Sequence, residues 1–187
     1  DISHAIFDHD GTISCLREGW EAVMEPVMIK AVLGDQYASA DETLYARVVS
    51  RVREFIDKTT GVQTLAQMQG LVRMIGEFGL VPEEEILDAP GYKAVYNDAL
   101  MDRVQLRADK LRRGELDVED FTIKMAPAFL QRLYNAGITL YLASGTDRQD
   151  VVREAEALGY AHLFEDRIYG SVGDVTRDAK RIVLDRI

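Results

Sequence analysis

The sequence predicts an α/β fold: a doubly wound parallel sheet of Rossmann-like type, interrupted by an inserted α-helical domain. Two short apolar runs, His4-Ala5-Ile6-Phe7 and Ile138-Thr139-Leu140-Tyr141-Leu142-Ala143, each end in a polar cluster. That is how buried parallel strands read when their carboxyl ends carry chemistry. The roughly 110 residues between them show apolar spacing of three and four rather than two, the period of helices. After the second run, strand-like and helix-like segments alternate, which implies parallel strands joined by right-handed crossovers.

In chain order, the first strand covers residues 4–7 and runs into Asp8-His9-Asp10-Gly11-Thr12. Helical periodicity then spans Glu18 to Leu33, Asp41 to Asp57, Thr64 to Phe78 and Tyr92 to Arg112. Gly34, Gly61, Gly79, Pro82, Pro90, Gly91 and Gly114 punctuate these segments. Pro127 suits a first helical position, Phe129, Leu130 and Leu133 form an apolar stripe, and Gly137 suits a C-terminal stop. The second strand, residues 138–143, leads into Ser144-Gly145-Thr146. A helix over Arg148 to Leu158, a short apolar segment at Arg167 to Gly170 and an amphipathic helix over Asp178 to Ile187 complete the pattern. The core is thus expected from residues 1–14 and 127–187, and the helical domain from 15–126.

Composition bounds the function. A chain of 187 residues with 47% hydrophobic and 29% charged residues has a globular composition. A single cysteine, Cys15, excludes an internal disulfide, and His4, His9 and His162 lack zinc-ligand spacing. The net charge of -10 argues against a nucleic-acid partner. No apolar run approaches the roughly 20 residues that span a bilayer, so no membrane partner and a cytoplasmic location are expected.

The chemistry concentrates at the two strand ends. Asp8 and Asp10, two residues apart, share one face while the chain stays extended, and His9 points the other way. Two converging carboxylates repel unless a cation sits between them, and Mg²⁺, hard and oxygen-seeking, suits that position. One carboxylate can then attack phosphorus, and the other can protonate the leaving oxygen and later deprotonate water. Gly11 permits a sharp turn that presents the Thr12 hydroxyl and N–H to the same spot; by itself the same string also reads as a plain turn. Ser144 and the backbone N–H groups about Gly145 can hold a phosphoryl oxygen, and Lys180 can supply positive charge or lie solvated beside Arg181.

Together, Phe7-Asp8-His9-Asp10-Gly11-Thr12, the strand ending in Ser144-Gly145 and the downstream Lys180 resemble the first three motifs of the haloacid dehalogenase (HAD) superfamily. The helical insert is similar to its type-1 cap, as in the phosphoglycolate phosphatase and β-phosphoglucomutase branches. The resemblance implies a HAD core, Asp8 as nucleophile, Asp10 as general acid and base, Ser144 on the phosphoryl group and Lys180 as charge stabiliser. It also implies Mg²⁺ bound by the Asp8 side chain and the Asp10 main-chain carbonyl.

Two features depart from the family pattern. His9 stands where an apolar residue is usual, and tolerance is expected because that side chain faces away from the reacting groups. The acidic pair of the fourth motif does not follow Lys180 before Ile187, and the chain opens on Asp1, so a longer native polypeptide is expected. Gly173-Asp174-Val175-Thr176-Arg177-Asp178 spells the fourth-motif pattern but precedes Lys180.

The activity expected is Mg²⁺-dependent hydrolysis of a small phosphorylated metabolite through an aspartyl-phosphate. A phosphomutase, or a catalytically silent binding domain should the native chain end here, are the alternatives. Substrate selection is expected from the insert, with Gln63 and Gln67 in a polar Gly-broken segment, and from Arg17 as an anion contact; Thr59 to Gln67 reads equally as a helix connection.

Overall fold

A computed structural model describes residues 2–174 and 176–187. Val175, inside the Gly173 to Asp178 pattern, lies outside the described residues. The chain divides into two compact units: residues 1–18 with 102–187, and residues 19–101.

The first unit contains a three-stranded parallel sheet in the order β1 (His4–Phe7), β2 (Thr139–Asp147), β3 (Ile168–Ser171). Strand alternation assigns its side chains to two faces. Ala5, Phe7, Leu140, Leu142 and Ile168 pack with Leu130 of the helix Ala126–Asn135 and with Val151 and Ala155 of the helix Arg148–Ala157. Ile6, Tyr141, Ala143 and Tyr169 pack on the other side with Ala179 and Val183 of the helix Ala179–Leu184. Helices therefore cover both faces of the sheet.

The second unit is helical. Numbered in chain order, α1 (Glu21–Leu33), α2 (Glu42–Thr59) and α3 (Thr64–Phe78) bury Met24, Met28, Val48, Val52, Met68, Leu71 and Met74. Asp41 caps α2 by accepting a hydrogen bond from the Leu44 N–H at 2.9 Å. Gln67, 4% exposed, donates its amide to the Thr59 carbonyl and hydroxyl, both at 3.1 Å, and so ties α3 to the last turn of α2. The helix α4 (Ala89–Arg112) runs across the boundary between the units; α5 (Ala126–Asn135), α6 (Arg148–Ala157) and α7 (Ala179–Leu184) belong to the first.

Strand β2 does not stop at Ala143 but continues through Ser144, Gly145 and Thr146 to Asp147. Its pairing with β3 passes from Ala143↔Tyr169 to Asp147↔Ser171, four residues against two, so two residues of β2 leave the ladder. Gly170 makes room for them. A Cβ there would meet the Thr146 carbonyl oxygen and the Arg148 N and Cα, all at 2.6 Å. These are backbone atoms with nowhere to move. Gly170→Ala is therefore expected to cost about 1–3 kcal/mol of stability by overpacking, read as a lower urea midpoint; an unchanged midpoint would mean that the bulge yields freely.

Candidate active site

The carboxyl end of β1 sets the geometry. Alternation puts Asp8 on the face covered by α7 and His9 on the face covered by α6. Asp8 Oδ1 accepts the His9 N–H at 2.8 Å, and Asp8 Oδ2 receives Lys180 Nζ at 2.8 Å. Lys180 stands in the first turn of α7, whose N-cap is Asp178, accepting from the Arg181 N–H at 2.8 Å. The sequence spacing of 172 residues between Asp8 and Lys180 closes to one ion pair.

Past Asp8 the backbone curls around one acceptor. The N–H groups of Thr12, Ile13 and Ser14 all converge on the His9 carbonyl, at 3.3, 3.0 and 3.0 Å. Gly11, at φ +71°, takes the left-handed conformation this turn requires. The residues after it are held from the other side, because Cys15 donates to the Phe121 carbonyl and Ile123 donates to that of Ile13. Thr12 itself is exposed.

Asp10 is held differently from Asp8. Its Oδ2 accepts the Ser144 hydroxyl at 3.2 Å and the Thr146 hydroxyl at 2.8 Å, both from the bulged end of β2, and Ser144 Oγ in turn accepts the Thr146 N–H at 3.1 Å. Asp10 Oδ1 is buried without a hydrogen bond, 3.9 Å from Arg17 Nε. The two carboxylates thus have different company: one a lysine ammonium, the other two hydroxyls and a more distant guanidinium.

Behind them lies a buried polar network. Arg17, 8% exposed, donates Nε and Nη2 to Glu154 Oε1 at 2.9 and 2.7 Å, and Nη2 to Asp150 at 3.2 Å. Glu154 Oε2 accepts from Nε2 of His9, fully buried, at 3.2 Å. The Tyr160 hydroxyl meets His9 Nδ1 at 3.2 Å. An ionised carboxylate only accepts, so the Nε2 proton belongs to His9, and the tyrosine hydroxyl is placed to donate to Nδ1. Burial would by itself raise the Glu154 pKa, but the His9 hydrogen bond and the Arg17 guanidinium outweigh it and hold the carboxyl below its ordinary value. Burial would likewise lower Arg17, yet Glu154, Asp10 and Asp150 together hold it above the ordinary arginine value. Burial, with the charges of Glu154 and Asp10, pushes the Tyr160 hydroxyl well up.

His9, Asp10 and Glu154 each offer a ligand atom, all within 4.8 Å of one another, a possible acidic metal site among the described residues. The Arg17 guanidinium is already the cation at Glu154.

The other sequence candidates fall as follows. Ser144 and Gly145 lie on the bulged segment with Thr146. Arg17 donates from Nε and Nη2 to Glu154 and from Nη2 to Asp150. Gln63 and Gln67 are buried in the second unit, and Gln67 is used in the helix connection. Asp174 accepts from the Thr176 N–H and hydroxyl at 2.9 and 2.7 Å, and Asp178 caps α7, so both carboxylates serve local turns. His9, fully buried and turned from Asp8, meets two buried partners, Glu154 and Tyr160. Sequence reasoning missed Glu154, Asp150 and Tyr160, and named Thr146 only as part of the strand-end cluster. One signal was available, since Asp150 and Glu154 are four apart on α6, among the buried Val151 and Ala155. Two acids on a half-buried helix face call for a buried cation.

A protein-family model described as haloacid dehalogenase-like hydrolase matches residues 2–187. No curated protein matches the chain.

Glu154→Gln leaves Arg17 buried with its main countercharge removed, and the expected loss is about 3 kcal/mol near pH 7. A carboxyl whose folded pKa is depressed stabilises above its unfolded value, about 4.3, and loses that contribution as pH falls through the folded value. The gap between wild type and variant in urea melts should therefore narrow below about pH 4. A gap that widens in acid would contradict the ion pair.

Proposed function

The chain belongs to the haloacid dehalogenase-like hydrolase family, and from that premise we propose that it hydrolyses a small phosphomonoester through a covalent phosphoryl intermediate on Asp8. The observation that carries this reading is the unequal setting of two carboxylates two residues apart. Asp8 faces Lys180, whereas Asp10 is gripped by the hydroxyls of Ser144 and Thr146. Paired carboxylates in different environments take different roles.

In the proposed reaction an Asp8 oxygen attacks phosphorus in line with the ester oxygen, and the phosphorus–ester bond breaks. The leaving oxygen takes its proton from Asp10. In the second half-reaction Asp10 takes a proton from water, whose oxygen attacks the aspartyl-phosphate and restores the Asp8 carboxylate. Lys180 offsets the negative charge of Asp8 as the phosphoryl group approaches. Thr146 holds the Asp10 carboxylate, while the Ser144 hydroxyl, whose one proton goes to Asp10 in the structure, is assigned with the Gly145 backbone to the phosphoryl oxygens once substrate is bound. Thr12, exposed beyond Gly11, is assigned to the same anion.

Members of the family generally use a divalent ion, and the donors present fit a hard cation. They are oxygens, each Asp8 oxygen keeps a lone pair beyond its one partner, and Asp10 Oδ1 is buried without a hydrogen bond. Asp8 and the Asp10 main-chain carbonyl would hold Mg²⁺, which supplies charge neutralisation between the carboxylates and the incoming phosphate.

Two measurements test this reading. Asp8→Asn keeps volume and removes the nucleophile, so turnover of p-nitrophenyl phosphate should fall by at least about a hundred-fold with the fold intact by circular dichroism; smaller losses contradict covalent catalysis. EDTA should abolish turnover and Mg²⁺ restore it, with Ca²⁺ a poor substitute because its looser coordination misplaces the reactants. Turnover that persists in EDTA would remove the metal from the account.

A further inference from the structure

Resting on that reading, we propose that Arg17, clamped by Glu154, is a positioning residue for the acid/base step at Asp10. Three observations converge. The Arg17 fork is fixed at two nitrogens by Glu154 and at one by Asp150, so its guanidinium has one orientation rather than many. That orientation sets Nε, whose hydrogen goes to Glu154, 3.9 Å from Asp10 Oδ1, a buried oxygen of a carboxylate whose other oxygen is taken by two hydroxyls, so the guanidinium is a fixed charge beside it. The clamp is itself backed, since Glu154 is held on its second oxygen by His9, and His9 by Tyr160.

A solvated arginine would make a poor reference point, because its long stem samples many rotamers. This one is buried, multiply bonded and set between α6 and the turn that follows β1. Asp10 and Glu154, which come from segments 144 residues apart in sequence, both address the same guanidinium. Rotation of Asp10 away from Ser144 and Thr146 would disturb a neighbour that cannot follow. Asp10 is thereby held in the one orientation from which a proton can reach the leaving oxygen. Arg17 touches neither substrate nor the reacting atoms in this scheme and acts only through Asp10.

The test separates positioning from simple stability. Arg17→Lys keeps the charge and loses the fork, and the double variant Arg17→Met/Glu154→Leu replaces the ion pair with apolar volume, so a fold can survive without a stranded charge. Substituted phenyl phosphates of similar shape but different leaving-group basicity, p-nitrophenyl phosphate and phenyl phosphate, are compared by kcat/KM. A poorer leaving group depends more on proton delivery from Asp10. Both variants should raise the p-nitrophenyl to phenyl ratio at least three-fold over wild type; a general loss of stability would lower both rates together. A smaller rise in either variant overturns the proposal. Should the wild type hydrolyse neither ester, the phosphatase reading fails, and the Asp10 rotamer in crystals of the double variant then decides the positioning role on its own: rotation off Ser144 and Thr146 supports it, and an unmoved carboxylate overturns it.

Discussion

Two carboxylates separated by a single residue at the end of β1 need to be compensated, and much of the surrounding fold is arranged to do so. Asp8 and Asp10 are met by different side chains, because the turn after Asp8 carries Asp10 to the bulged end of β2 while α7 brings Lys180 to Asp8. Helix α7 brings Lys180 to Asp8 from one face of the sheet. The bulged end of β2 brings two hydroxyls to Asp10, and the other face contributes Arg17 at longer range. The bulge needs Gly170 opposite it, and α7 needs Asp178 as its cap, so features remote from the carboxylates serve the same end.

The buried network of Arg17, Glu154, His9 and Tyr160 imposes a cost that the site must justify. A buried ion pair seldom adds net stability over apolar residues of the same volume, because desolvation consumes most of the attraction. What it supplies is orientation: the hydrogen bonds among Arg17, Glu154, His9 and Tyr160 give these side chains defined directions. An apolar cluster of Leu and Phe would pack as well and would fix nothing about Asp10. The polarity of the cluster is therefore more readily understood from the adjacent chemistry than from folding.

Much of this was legible in the sequence. The tetrad His4–Phe7 and the helix Thr64–Phe78 occupy the residues their periodicity marks, and the parallel α/β arrangement follows from apolar runs ending in polar clusters. Ser144 to Thr146 read as the end of a strand, but pairing continues to Asp147, because a bulge against Gly170 keeps a polar segment in the sheet. His9 shows the limit most clearly. Local alternation turns it away from Asp8, yet its partners lie 145 and 151 residues onward, and no local pattern announces them. Arg17 is a similar case: its proximity to the first motif suggests an anion contact, and besides Asp10 it meets two carboxylates of α6.

The claim on which the account stands is that Asp8 becomes covalently phosphorylated, and chemical trapping tests it most directly. The protein is mixed with a phosphomonoester that it turns over, quenched within milliseconds and treated with borohydride, which reduces an acyl phosphate to the corresponding alcohol. Peptide mass spectrometry then locates the change. The account predicts conversion of Asp8 to homoserine, dependent on substrate and absent from a substrate-free control, with Asp10 unaltered. Conversion at Asp10 instead, or no conversion in a reaction that is releasing phosphate, would contradict it.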